Sequence, residues 1–309
     1  MNKKDTFLSI ACIILAISIV FVVFIGQSAK NHNSSATLET KNTKDTAKET
    51  DKTPSTTDKN IDNTKNTSTD NSNKDRFSGL KLTNADNGLP ILCYHDISSS
   101  KGSDLVLDPA KFKEQMKYLK DNGYFPITLD ELYSYLKEDK GIPEKSIVIT
   151  FDDGYLGTYT YAFPILKEFG FKATIFMISD YVNNPSYLSV EQIKELSNYG
   201  IDIQNHFGEV SNISKLNINK QIDTLKKSKQ TLEGFLSKSI SYVAFPASNL
   251  TEDSKKAAEQ AGYKMSFNLQ STTLALADKK DNIYNLDRLY IGNKHTLNDF
   301  IKILNTKKK

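Results

Sequence analysis

From Leu89 onward, short apolar runs alternate with longer amphipathic stretches, and this alternation restricts the fold more than any other feature of the chain. PILCYHDI, KSIVITF, KATIFMIS, IDIQNH, SYVAFP, KMSFNL and NIYNLDRLYI read as strands. Helical patterns lie between them. In FKEQMKYLKDNGY, Phe112, Met116 and Leu119 share one face and Gly123 ends it. Thr128 with Glu131, and Ser189 with Gln192, are spaced as capping boxes that open further helices. YTYAFPILKEFG, the stretch from about Lys220 to Leu236, SKKAAEQAGY and TLNDFIKIL complete the set. Strand and helix in repeated succession give βα units and a mainly parallel sheet. Over this length they fit one (β/α) barrel better than two domains. Reactive groups of such a barrel gather at the C-terminal strand ends. Those ends carry His95, Asp152 and Asp153, His206, the stretch Phe245-Pro246-Ala247, and Arg288.

The first part of the chain has another character. Lys3 and Lys4 precede an uncharged run from Phe7 to Ile25, long enough to span a bilayer as a helix. Gly26-Gln27-Ser28 matches a signal-peptidase site poorly. Residues 1–28 are therefore expected to be an uncleaved transmembrane signal-anchor in the cell membrane, crossing once. The basic flank puts the N-terminus in the cytoplasm and the bulk of the protein outside the cell. Residues 29–88, rich in Thr, Asn, Lys and Asp, hold too little apolar side chain to offset ordering entropy, and a disordered linker is expected. Residues 89–309 form the folded domain, with its core motif region at 144–309. A net charge of +3 on 309 residues, with mixed signs in the linker, gives no case for nucleic acid as a partner. Cys12 and Cys93 lie in unrelated contexts, with neither disulfide nor zinc-site spacing. A histidine-dependent metal site has only His32, His95, His206 and His295 to draw on.

In IVITFDDGYLGTY, a buried strand breaks at two adjacent aspartates and Gly154 frees the backbone to turn. TFDDGY, Thr150 to Tyr155, is accompanied in order by YHDI (Tyr94 to Ile97), KATIFMI, VAFP (Val243 to Pro246) and LDRL (Leu286 to Leu289). Together these resemble the polysaccharide deacetylases, the group with the NodB homology domain (carbohydrate esterase family 4-like). The likeness is greatest to the subgroup that deacetylates poly-N-acetylglucosamine, and it covers roughly Leu89 to Leu304. It implies an α/β fold, a deformed (β/α) barrel, with a bound divalent metal, commonly zinc. It also implies hydrolysis of the N-acetyl groups of N-acetylglucosamine units in a polysaccharide, either peptidoglycan or an exopolysaccharide. By position, the resemblance makes Asp152 the general base, Asp153 and His206 metal ligands and His95 the general acid. Arg288 would orient Asp152 and keep it ionised. The residue types suit that chemistry. Amide hydrolysis needs an acidified water, a carboxylate to take its proton and an acid for the leaving amine.

Two family features are altered. Where a second metal histidine is expected after His206, the chain has Val210 and Ser211. Glu209 is a candidate substitute ligand; a two-ligand site and no metal site are the alternatives. After AFP, Ala247 and Ser248 replace the expected Tyr-Gly ending. Arg288 has a structural alternative in pairing with Asp287 or another acid. The sequence thus carries two readings: an extracellular metal-dependent deacetylase with an incomplete metal site, or a catalytically impaired relative that binds wall glycan or a partner.

Overall fold

Seven strands come together in parallel to place the predicted residues on one rim. They are β1 (Leu89–Tyr94), β2 (Ser146–Phe151), β3 (Thr174–Met177), β4 (Asp202–Asn205), β5 (Tyr242–Ala244), β6 (Met265–Phe267) and β7 (Leu289–Tyr290). The structure is a computed structural model and describes residues 76–100, 102–208, 213–246, 250–269 and 276–305, all within the unit Thr67–Lys309. In space the order is β6-β5-β4-β3-β2-β1-β7, and every neighbouring pair is parallel. The ring closes through the segment before β7. Leu286 bridges Phe267 in parallel, and Asn268 N–H donates to the Leu286 carbonyl at 2.8 Å. This is the barrel that the strand-helix alternation predicts, in the deformed form that the resemblance implies.

Alternate residues of each strand enter different cores. Leu89 and Ile91 of β1 join Val148, Phe176, Tyr242, Ala244, Met265 and Phe267 inside the barrel. Leu92 and Tyr94 join Ile147, Ile149, Phe151, Ile175 and Ile203 in the outer layer. That layer lies beneath α1 (Pro109–Asp121), α3 (Phe163–Phe169), α4 (Val190–Tyr199) and α5 (Ile218–Leu236). Between α1 and α3 in sequence, α2 (Leu129–Glu138) contributes Leu129, Leu132, Tyr135 and Leu136 to the interior set. The helices α6 (Glu252–Gln260) and α7 (Leu297–Leu304) follow later in the chain. Both predicted capping boxes are formed: Thr128 with Glu131 on α2, and Ser189 with Gln192 on α4.

Some boundaries differ from the sequence pattern, each for a local reason. The helix expected from YTYAFPILKEFG opens with a wide π-turn, Thr158–Ala162, and becomes α-helical only at Phe163, where Pro164 lies in the first turn. Of NIYNLDRLYI only Leu289–Tyr290 is strand, because its earlier part turns from β6 to β1 while closing the ring. Packed chain also precedes Leu89. Leu82–Thr83 pairs antiparallel with Ile142–Pro143, and Phe77 meets Phe125 edge-on at 5.6 Å between ring centres. No described helix is long and apolar enough to cross a membrane. The run Phe7 to Ile25 lies outside the described residues.

Candidate active site

The inward phase of the strands continues past their ends and selects the side chains that meet at the rim. On β1 it runs Leu89, Ile91, Cys93; on β2 it runs Val148, Thr150, Asp152. The β1–β2 register places Cys93 beside Thr150 and Tyr94 beside Phe151. Asp152, the first residue past the end of β2, therefore keeps the inward phase, and it is 1% exposed. Asp153 would point outward if the strand continued. Instead its φ is +68°, a left-handed conformation that Asp tolerates better than most residues. That turn brings both aspartates into one pocket. Gly154 has φ +77°, and a Cβ there would run into the Met177 sulfur.

Arg288, on the closing segment, enters the barrel from the opposite side of β1. Its Nη1 donates to Asp152 Oδ1 at 2.5 Å and its Nη2 to Asp152 Oδ2 at 2.7 Å. Nη1 also donates to Thr150 Oγ1 at 3.2 Å, and Nε to the Asn268 carbonyl at 3.2 Å. The guanidinium carbon lies 5.2 Å from the centre of the Phe176 ring. The acid that Arg288 pairs with is Asp152, through a bidentate contact. Burial alone pushes the Asp152 pKa up, but Arg288 and His206 outweigh it and hold the carboxyl well below the usual carboxylate range.

His206 follows β4, and its Nδ1 lies 2.8 Å from the Ala244 carbonyl. A carbonyl only accepts, so Nδ1 carries the proton and Nε2 faces the aspartates. Nε2 is 3.3 Å from Asp153 Oδ1 and 3.8 Å from Asp152 Oδ2. Burial lowers the His206 pKa, but the two aspartates outweigh it and raise it above the ordinary histidine value. Asn205 braces this end of the strand: its amide donates to Ser228 Oγ at 2.8 Å and to Tyr263 Oη at 2.6 Å, and its Oδ1 accepts from Phe207 N–H at 3.1 Å.

His95 continues the inward phase of β1. It meets Tyr290 edge-on at 5.8 Å, and its buried Nδ1 has no hydrogen-bond partner among the described residues. Burial, with lesser help from His206 and Arg288, lowers its pKa despite the nearby aspartates. Glu209 and Val210, and likewise Ala247 and Ser248, lie outside the described residues.

The residue that sequence reasoning missed is Cys93. Its Sγ is 3.4 Å from Asp152 Oδ2, and ligand atoms of Cys93, His95 and Asp152 all fall within 4.8 Å of one another. Disulfide and zinc-spacing rules pass over it because they look for paired cysteines. The available signal was the strand period: Cys93 lies two residues before His95 and shares its face.

A sequence profile of the family described as Polysaccharide deacetylase matches residues 139–266. The Bacillus subtilis (strain 168) protein YxkH, whose name places it among polysaccharide deacetylases, is 36% identical over 204 residues, covering 66% of this chain and 71% of that protein. The chain belongs to the polysaccharide deacetylase family. A poly-beta-1,6-N-acetyl-D-glucosamine N-deacetylase of Staphylococcus aureus (strain MSSA476) is 27% identical over 249 residues, covering 72% of this chain and 84% of that protein. Among solved structures, a polysaccharide deacetylase from Bacillus cereus, BC0361, aligns with a TM-score of 0.62 and 27% identity over 71% of this chain and 69% of its own. The Streptococcus pyogenes deacetylase PplD, solved in complex with acetate, shares the fold, with a TM-score of 0.67 and 24% identity over 72% of this chain and 100% of its own.

Deacetylases of this family are metal-dependent, and the donors present here can be compared with what a divalent cation needs. Asp153 and His206 suit it. One offers a carboxylate; the other offers Nε2 with its Nδ1–H already anchored on a carbonyl, the usual support of a metal-binding imidazole. Asp152 suits a cation less well, since Arg288 engages both its oxygens with a positive charge.

Proposed function

We propose that this protein is an extracellular metal-dependent hydrolase that removes N-acetyl groups from N-acetylglucosamine units of a cell-wall or secreted polysaccharide. The observation that carries the reading is the division of labour between the two aspartates. Asp152 is held ionised by Arg288, while the neighbouring Asp153 faces His206. The naming of the Staphylococcus aureus relative as a poly-beta-1,6-N-acetyl-D-glucosamine N-deacetylase supports the substrate class.

Asp153 and His206 would hold a divalent cation, zinc being the expected one, with a third donor such as Glu209 or water. Such an ion supplies Lewis acidity, acidifying a water near neutral pH and polarising the acetyl carbonyl. Asp152 takes the proton of the attacking water. Arg288 keeps that carboxylate deprotonated and fixed in direction. His95, within 4.8 Å of Asp152 by its ligand atom, delivers a proton to the departing amine. Burial lowers the His95 pKa, so its protonated form is a stronger acid than a solvated imidazolium while a smaller fraction of it is protonated near neutral pH.

Acetate release from N-acetylglucosamine oligomers, measured with bound metal per chain, tests the reading. Asp152→Asn is expected to lower turnover by about 10²- to 10⁴-fold while metal stays bound. Asp153→Asn is expected to lose both. Val210→His, restoring the missing imidazole, is expected to tighten metal binding and raise turnover. If neither the natural protein nor Val210→His releases acetate at saturating metal, the reading gives way to a glycan-binding relative without activity.

A further inference from the structure

We propose that Cys93 is a positioning residue of this site, its thiol fixing the direction in which the Asp152 carboxylate faces the pocket. The inference rests on the reading of Asp152 as the base. A fully buried cysteine usually acts as a small apolar side chain, and Cys93 is 0% exposed. Its sulfur, however, is 3.4 Å from Asp152 Oδ2, with a longer approach of 3.8 Å to the Tyr94 carbonyl. Burial raises the thiol pKa well above its ordinary value, so the sulfur keeps its hydrogen and has a donor to offer.

The contact matters because of which oxygen receives it. Arg288 reaches the carboxylate from the closing segment, with one nitrogen on each oxygen. Cys93 reaches Oδ2 from β1, a different strand. Oδ2 is also the oxygen nearest His206 Nε2, at 3.8 Å. A guanidinium fork defines the plane of a carboxylate. A further donor on Oδ2, held by a neighbouring strand, removes the freedom of the pair to slide together. A base that acts on a water needs this constraint, since small displacements of a catalytic group are costly in rate.

Two substitutions separate positioning from packing because they move in opposite directions. Cys93→Ser keeps a donor and loses volume. Cys93→Val loses the donor and leaves no cavity, since its side chain is one heavy atom larger. Positioning predicts that Cys93→Ser retains turnover, whereas Cys93→Val lowers kcat by about five- to tenfold with KM unchanged, even though it melts at the wild-type temperature. Packing predicts the reverse order, and that order would overturn the proposal. The S–H stretching band of the full chain provides a readout independent of activity. The difference spectrum between wild type and Asp152→Asn cancels Cys12 and should show the Cys93 band moving to the position of a weaker hydrogen bond. An unmoved band overturns the contact. Loss of the band on adding zinc makes Cys93 a thiolate ligand and overturns it too. If the band moves while the wild type releases no acetate, the proposed activity fails and the contact stands.

Discussion

At the scale of single residues, the site depends on one unusual backbone conformation. Asp153 adopts φ +68°, which costs a non-glycine residue on the order of 1 kcal/mol. The cost is borne where it turns Asp153 toward His206. Asp153→Gly should therefore leave the melting temperature unchanged or raised while abolishing metal binding. A marked drop in melting temperature would show that the conformation is not strained. The second proton that His206 takes up, at Nε2, supplies a further prediction. Its pKa is raised because Asp152, then Asp153, outweigh the effect of burial. A metal must displace that proton, so zinc retention should weaken as pH falls toward and below the raised value. Asp152→Asn removes one of the two raising carboxylates. Zinc retention against a chelator should then persist to lower pH than in the wild type, and superimposable retention curves would refute this account. The aspartates of TFDDGY and the histidine of IQNH were legible because each follows a C-terminal strand end, whereas Arg288, expected at such an end, lies on the closing segment just before β7 and was legible only through its motif. Cys93 was legible only through the strand period, since a single cysteine matches no pairing rule.

At the scale of elements, legibility followed how local the determining interactions are. The capping boxes of α2 and α4 are contained within four residues, and both form as spaced. The segment containing Arg288 was misread as a longer strand because its shape is set by β6 and β1, which are remote in sequence. The N-terminal end of β4 carries an electrostatic feature that no local pattern announces. Asp202 accepts from Gln204 Nε2 through both oxygens, while the Gln204 carbonyl oxygen accepts from the backbone N–H groups of Ser241 and Tyr242. Burial pushes the Asp202 pKa up to about 7, with Asp130 adding to the rise and Gln204 opposing it. An unfolded chain would release that proton near pH 4. Between about 4 and about 7 the folded state thus binds more protons than the unfolded one, and this group's contribution to stability falls as pH rises through that window. Asp202→Asn should match the wild type in melting temperature at pH 4 and exceed it at pH 8. Equal melting temperatures at both values would mean that the carboxyl ionises without cost.

At the scale of the whole molecule, the decisive geometry is which end of the barrel the preceding chain reaches. Arg76 donates to both Glu131 oxygens at 2.7 Å and to the Pro126 carbonyl at 2.9 Å. Pro126 pairs with Ile147 at the start of β2, whereas Asp152 follows the end of that strand. Chain arriving from the N-terminus therefore joins the barrel on the face opposite the site. We propose that Phe7 to Ile25 anchors the protein in the cell membrane and that the polar residues after it serve as a tether. The contact at Arg76 makes this arrangement testable. Protease added to intact cells should release a stable fragment beginning close to Arg76, since Glu131 and Pro126 hold the chain from that point. Arg76→Ala leaves Glu131, only 3% exposed in its side chain, without its cationic partner. It should lower stability by about 1 to 3 kcal/mol and move the cleavage point toward Leu82. Recovery of the protein entirely in the medium, lacking residues 1–28, would instead establish a cleaved signal. A fragment beginning near Arg76 in both proteins would show that the ion pair does not set the start of the folded chain.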